Sequence, residues 1–365
     1  MVEPRCPYFG KCGGCSTQHI DYAQQIENKK KMLMNATGLK ELKVFFGKEY
    51  GYRTRMDFVF CKEGLGFRKE GKPTEVVPVK ECVISNPRIN ELMKEVVHYF
   101  KEPDFFNFKN FSGTMKFAVI RAPPNDSSIS IVVNSDSGKL GEVVEKIENF
   151  KCSADNLVIT YVEKGRNVGV SEEYHIVKGN DYLMEDFFGK KFFFPLQGFF
   201  QNNHEMAEEM QKYVRELISE YDTKDFELLD LYGGVGTFGI VNSDLFSKVS
   251  IVESYRRAVE FAEKNIVANK ASNTKAYCLD ARQIKRLSFA KRLFVITDPP
   301  RSGMEMEAIT ELKRLSPEVI IYVSCNVSQL AKDIPKFKGY RVKSAALFDL
   351  FPQTSHFEAV VELVQ

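Results

Sequence analysis

The sequence predicts an α/β protein: a doubly wound, mainly parallel sheet in the second half, closed by an antiparallel hairpin and preceded by an α+β segment. Three observations predict it. After Phe194-Pro195, apolar runs alternate with amphipathic stretches, the pattern of strands crossing over through helices. The last two apolar runs, 341–348 and 356–364, are joined by only a short turn at 349–355, too short for a helical crossover, so they pair antiparallel. Between Tyr52 and Tyr174, by contrast, short strands alternate with charged turns. The domain boundary is accordingly expected near residue 190, giving domains of 1–190 and 191–365.

In the first domain, 55–60, 128–134 and 157–162 read as strands, and 89–100 and 139–150 as helices, with a turn at Pro123-Pro124-Asn125-Asp126. In the second, a strongly periodic helix is expected over 203–221. Strands follow at 226–232, 249–253, 275–279, 294–298 and 319–325. The run Val319-Ile320-Ile321-Tyr322-Val323-Ser324-Cys325 has the β-branched content of a strand buried on both faces. It delivers a thiol to the carboxyl edge of the sheet, where ligands collect in open α/β folds. Cys325 is therefore the candidate nucleophile.

Composition narrows the class. Of 365 residues, 27% are charged and 44% apolar, ordinary values for a globular protein. No apolar stretch approaches the roughly 20 residues that span a bilayer, and Met1-Val2-Glu3-Pro4-Arg5-Cys6 lacks a signal peptide's apolar core; a cytoplasmic location is expected. The net charge of +2 does not by itself announce a nucleic acid, but residues 1–90 hold 16 Lys/Arg against 10 Asp/Glu. Basic residues recur at Lys29, Lys30, Lys31, Arg53, Arg55, Arg68 and Lys69, either a solvated face or an attraction for phosphate.

Eight cysteines without an export signal are not expected to form a disulfide framework. Cys6, Cys12 and Cys15 make a C-x5-C-x2-C run, with Gly10, Gly13 and Gly14 letting the backbone fold back. Cys82 is the best fourth ligand. Four thiolates suit zinc or an iron–sulfur centre, and one triple run plus a distant cysteine favours [4Fe–4S] over the paired C-x2-C knuckles of zinc sites. Cys61, Cys152 and Cys278 lack such partners and read as structural.

The segment Leu228-Leu229-Asp230-Leu231-Tyr232-Gly233-Gly234-Val235-Gly236 is a strand entering a glycine-rich turn, where Gly233, Gly234 and Gly236 permit close approach of a ligand. Glu253 ends the next strand, positioned for ribose hydroxyls, and Asp280 ends the third, positioned for an adenine edge. A nicotinamide nucleotide and S-adenosylmethionine both use this geometry. The terminal hairpin favours the plan of a class I S-adenosylmethionine-dependent methyltransferase over that of a dehydrogenase. The fourth strand ends in Asp298-Pro299-Pro300-Arg301-Ser302-Gly303, with Arg301 where amino-group methyltransferases carry an aromatic.

Six segments, in this order, resemble the RNA uracil-C5 methyltransferase family. They are the cluster cysteines, Phe199-Phe200-Gln201-Asn202-Asn203, Asp230-Leu231-Tyr232, Asp298-Pro299-Pro300-Arg301-Ser302-Gly303, Ser324-Cys325-Asn326 and His356-Phe357-Glu358. The resemblance covers Cys6 to Glu358. It implies 5-methyluridine formation in transfer or ribosomal RNA, with S-adenosylmethionine as donor, a [4Fe–4S] cluster, Cys325 as nucleophile and Glu358 as base. Gln201, Tyr232, Glu253 and Asp298 match cofactor or site-lining positions. Gly233 stands where the family often has Cys, and Val327 where it often has Pro; neither carries the chemistry. With the first cluster cysteine at residue 6, the family's N-terminal TRAM barrel is expected to be absent. No membrane and no obligate protein partner are implied.

Chemistry supports these assignments. Uracil C5 is a poor nucleophile until a thiolate adds to C6. The C5 proton must then leave before the thiol can, which requires a base. Glu358 ranks ahead of His356 for that role. Phe199 and Phe200 are either core or stacking surfaces. An RNA cytosine-C5 methyltransferase would carry a thiol near Arg301. A nicotinamide-dependent oxidoreductase would not need Cys325, and a non-catalytic iron–sulfur RNA-binding protein would show no turnover.

Overall fold

The computed structural model describes residues 2–289 and 292–365. The chain divides into two compact units, and it passes between them repeatedly rather than once near residue 190. One unit comprises Met1–Tyr22, Lys48–Glu185 and Pro195–His204; the other comprises Ala23–Gly47, Asp186–Phe194 and Glu205–Gln365. Among the described residues no helix is long and apolar enough to cross a membrane.

The first unit is built on a seven-stranded sheet. Its order is Lys72–Pro78, Gly64–Lys69, Arg55–Cys61, Met115–Arg121, Ser128–Asn134, Asn156–Val162 and Tyr174–Lys178. Neighbours are antiparallel except Ser128–Asn134 and Asn156–Val162, whose parallel pairing is bridged by the helix Leu140–Glu148. Side-chain alternation sets the layers. Met56, Phe58 and Phe60 join Ile120 and Ile131 in a core with Leu92 and Val96 of the helix Pro87–Tyr99 and with Ile147. Val59, Phe117, Val119 and Val132 lie in a separate, smaller cluster. Asn86 caps the first of these helices by accepting from the Ile89 N–H, and Pro87 begins it.

The second unit carries an eight-stranded sheet, ordered Lys43–Phe45, Arg341–Phe348, Glu358–Val364, Val319–Ser324, Leu293–Thr297, Glu227–Leu231, Lys248–Glu253 and Thr274–Cys278. Glu358–Val364 runs antiparallel to both neighbours, and every other pairing is parallel. The expected terminal hairpin is therefore present, inserted next to Val319–Ser324. Strand order reverses at Glu227–Leu231, so the turns after that strand and after Leu293–Thr297 flank a topological switch point, where such sheets bind ligands. The helix expected over 203–221 spans His204–Ser219.

The helix Tyr22–Thr37 and the edge strand Lys43–Phe45 have no counterpart in the sequence reading. They explain one departure from it. Lys29, read with Lys30 and Lys31 as a basic run, is buried; its ammonium meets Asp349 Oδ1 at 2.7 Å and the Phe351 carbonyl at 3.2 Å. Gln25, one turn earlier, donates to Gln353 Oε1 at 3.0 Å. The helix thus clamps the 349–355 connection that leads to Glu358. Three of the other basic residues are also engaged: Arg55 with Asp57 at 2.8 Å, Lys69 with Glu75 at 3.0 Å, and Arg68 with the Pro73 carbonyl and the Phe108 ring.

A buried charge left without its partner is strongly destabilising, whereas replacing both partners with apolar groups is often neutral. Lys29→Met should therefore lower unfolding free energy by about 3–5 kcal/mol. Lys29→Met combined with Asp349→Leu should recover most of that loss in urea denaturation.

Candidate active site

Three neighbouring elements bring the reacting groups together. The strand Val319–Ser324 ends immediately before Cys325, which is half-buried. The adjacent Glu358–Val364 begins with Glu358, only 3% exposed, opposite this end of the sheet because it runs the other way. Leu293–Thr297 runs directly into Asp298, whose N–H donates to the Leu231 carbonyl at 3.2 Å. Asn326 ties two of the turns: it caps the helix Val327–Asp333 and donates to the Arg301 carbonyl at 2.9 Å.

The electrostatics follow from crowding. Burial pushes the Cys325 thiol up to about 11, and the charges of Glu358 and Asp298 add to the rise while Arg301 opposes it. Burial holds the Asp298 carboxyl at about 7. Burial, then Asp298, raises Glu358 well above the usual carboxylate range, with Arg301 opposing. Glu358 Oε2 is buried with no hydrogen-bond partner among the described residues. His356 lies exposed just outside the strand; loss of water and the nearby Arg301 and Lys29 charges lower it. The strand starts only at Glu358, so His356 lies outside it and the two do not share a strand face.

The glycine turn serves two purposes. A Cβ on Gly233 would stand 2.6 Å from Ile251 Cγ2, and one on Gly236 would stand 2.8 Å from Ile251 Cδ1. These two glycines let turn and helix pack on the neighbouring strand. Only Gly234, at φ 54°, would point a Cβ into open space, so it alone matches the expected approach of a ligand. Tyr232 adopts the left-handed region at φ 59° and donates to Glu305 Oε2 at 2.6 Å. Burial and that acceptor raise its phenol.

Glu253 ends its strand as expected and accepts from the Gly234 N–H at 3.2 Å and the Tyr255 N–H at 2.7 Å. Asp280 is committed elsewhere: Arg282 grips both its oxygens at 2.8 and 2.7 Å, pulling the carboxyl down to about 2. Asp230 was visible only as part of a motif. It is 1% exposed, raised to about 7 by burial, and accepts from the Gly239 N–H at 2.8 Å through Oδ2, while Oδ1 has no partner among the described residues. A buried carboxylate with an unused oxygen at a switch point, beside Glu253 and Asp298, suits a cationic nucleoside ligand such as S-adenosylmethionine. Gln201 lies on the Pro195–His204 segment of the other unit; beside it Phe199 is 71% exposed and Phe200 is 7% exposed.

The four cysteines at positions 6, 12, 15 and 82 line one cavity of about 400 Å³ inside the first unit, together with Arg53, Arg55 and Asp57. Among the described residues, no group of three or more His, Cys, Asp or Glu is gathered tightly enough to hold a metal ion. Of the remaining thiols, Cys61 and Cys152 are buried, but Cys278 is exposed.

With this geometry in view, comparison with known proteins is decisive. The profile of the tRNA (uracil-5-)-methyltransferase family matches residues 21–365. The chain belongs to that family. It is an S-adenosylmethionine-dependent RNA (uracil-C5)-methyltransferase. It is 33% identical to an uncharacterized RNA methyltransferase of Caldanaerobacter subterraneus, over 98% of this chain and 84% of that protein. It is 31% identical to the tRNA (uracil(54)-C(5))-methyltransferase of Pyrococcus horikoshii, over 100% and 86% respectively. The crystal structure of the Pyrococcus abyssi tRNA (uracil-54, C5)-methyltransferase with S-adenosyl-L-homocysteine superposes with a TM-score of 0.81 at 28% identity, covering 97% of this chain and 86% of that one.

The charges around Cys325 rank the effect of neutralising each neighbour. Glu358→Gln should lower the pH midpoint of Cys325 alkylation most and Asp298→Asn less, while Arg301→Met should raise it. Iodoacetamide labelling across pH, read by peptide mass at Cys325, measures all three.

Proposed function

We propose that this methyltransferase modifies a uridine of transfer RNA through covalent attack by Cys325 and proton removal by Glu358. The observation that carries the reading is the convergence of a half-buried thiol and two buried carboxyls at one sheet edge. The tRNA substrate is supported by the relatives named for it.

The Cys325 sulfur bonds to uracil C6, and the C5=C6 electrons move toward the C4 carbonyl, making C5 nucleophilic. S-adenosylmethionine, when bound, supplies the methyl group that C5 accepts. Glu358 then takes the C5 proton; the electrons of that bond re-form C5=C6 and expel the thiolate. Asp230, Glu253, Tyr232 and Gly234 are the residues we assign to the cofactor side, with Asp298 lining the base. Asp280 is left out of this set because Arg282 holds both its oxygens. Without ligand, burial favours the neutral form of both the thiol and Glu358. A cation at this edge favours the ionised form of each, so the site becomes competent as it is filled.

For the first unit we propose that Cys6, Cys12, Cys15 and Cys82 hold one [4Fe–4S] cluster with a structural role. All four thiols line one cavity, and a triple cysteine run with one distant partner suits such a cluster better than the paired knuckles of a zinc site.

Cys325→Ala should abolish methylation while S-adenosylmethionine binding stays within threefold of the parent; a tenth of parental turnover in that variant excludes covalent catalysis by Cys325. Glu358→Gln should accumulate an RNA–protein adduct that survives denaturing electrophoresis and carries label from the methyl donor. The same adduct in His356→Ala instead transfers the role of base to His356. Anaerobically purified protein should be brown, with about four irons and four sulfides per chain; a colourless protein holding one zinc overturns the cluster.

A further inference from the structure

Asp333 ends the helix Val327–Asp333, which starts just after Cys325 and Asn326, and it is wholly buried. Its Oδ2 accepts from the Tyr322 hydroxyl at 2.7 Å and the Met304 N–H at 3.1 Å. Its Oδ1 accepts from the Gln329 amide at 2.9 Å and the Lys336 ammonium at 2.7 Å. One carboxylate therefore joins the strand that delivers Cys325, the helix that follows it, and the loop that carries Asp298 and Arg301. The approach is so close that residue 303 must lack a side chain. Gly303 sits at φ 79°, and a Cβ there would stand 2.3 Å from Asp333 Oδ2.

We propose that Asp333 is a positioning residue for methyl transfer, fixing the 298–304 loop against the Cys325 turn so that Asp298 and Arg301 stay in register with the thiol. This rests on the reading of Cys325 as nucleophile. The two oxygens divide the labour. Oδ2 holds strand and loop, the pieces that bear reacting groups, whereas Oδ1 holds only its own helix and the turn that follows. A buried, fully satisfied network of this kind specifies one arrangement, because each donor loses its partner if the loop moves. An asparagine cannot replace it, since its NH2 group would face donors on whichever side it lay.

The division makes the proposal testable without removing the carboxylate. Tyr322→Phe and Gly303→Ala disturb the Oδ2 side; Lys336→Gln disturbs the Oδ1 side. The first two should lower kcat at least tenfold while the S-adenosylmethionine Kd, read by calorimetry, changes less than threefold. Both should also move the Cys325 alkylation midpoint down by half a pH unit or more, because the Asp298 charge outweighs that of Arg301 at the thiol. Lys336→Gln should lower the melting temperature and leave kcat within threefold. An unmoved midpoint in both Oδ2-side variants overturns the proposal, whatever happens to stability. So does an equal loss of kcat in Lys336→Gln. If the parent protein methylates no uridine, or Cys325→Ala remains active, the catalytic reading fails instead, and the alkylation midpoint still decides the role of Asp333.

Discussion

Acidic groups and a thiol buried at one sheet edge cannot all be charged at once, and the organisation of the second unit follows from that constraint. Asp230, Asp298 and Glu358 sit at strand ends that point to one place because seven of the eight strands run the same way and Glu358 begins the eighth. Without a cation, burial drives each toward its neutral form. The free site therefore carries less negative charge than three ordinary carboxylates would. A sulfonium-bearing ligand shifts the balance toward the ionised form for all of them together, and under the proposed mechanism this would couple cofactor binding to formation of nucleophile and base. No histidine is needed to set this pH behaviour: His356 is exposed and carries a lowered, not raised, proton affinity.

Much of this was legible in the sequence because strand ends announce themselves. The runs ending at Ser324, Thr297 and Glu253 are continuous and β-branched, so their boundaries fell within a residue or two, with Glu253 at its strand's end and Cys325 and Asp298 in the first turn position after theirs. The short 349–355 connection likewise forced the antiparallel pairing. Such features are local: each is decided by a handful of consecutive residues and by the twofold alternation of the strand.

What was not legible depends on partners far along the chain. Lys29 reads as part of a basic run, yet 320 positions later Asp349 takes its ammonium into the interior. The segment Ala23–Gly47 precedes most of the first unit but adds an edge strand beside Arg341–Phe348. Asp280 lies just past the end of the strand Thr274–Cys278 and is nonetheless neutralised by Arg282, two residues on, because the turn brings their side chains together. The glycines of the nucleotide turn carry the same lesson. Sequence shows that Gly233, Gly234 and Gly236 are small, but only the position of Ile251 tells which of them pack against protein and which faces open space.

The two functional sets of cysteines differ in what surrounds them, and this separates their chemistry. Burial raises Cys12 to about 11 and Cys15 to about 12, and after burial and local hydrogen bonds the next contributions come from the other cysteines of the set. Such thiols become thiolates only if a positive centre takes up their charge, which is the condition of metal ligands. Cys325 is raised as far, but its neighbours are Glu358 and Asp298, carboxyls that can themselves gain or lose a proton, with Arg301 in opposition. A thiol whose ionisation is tied to protonatable neighbours can be switched on and off within a turnover. Thiols raised to a similar degree thus suit the different uses proposed for them, ligation in one unit and reversible attack in the other, and the difference lies in the neighbours.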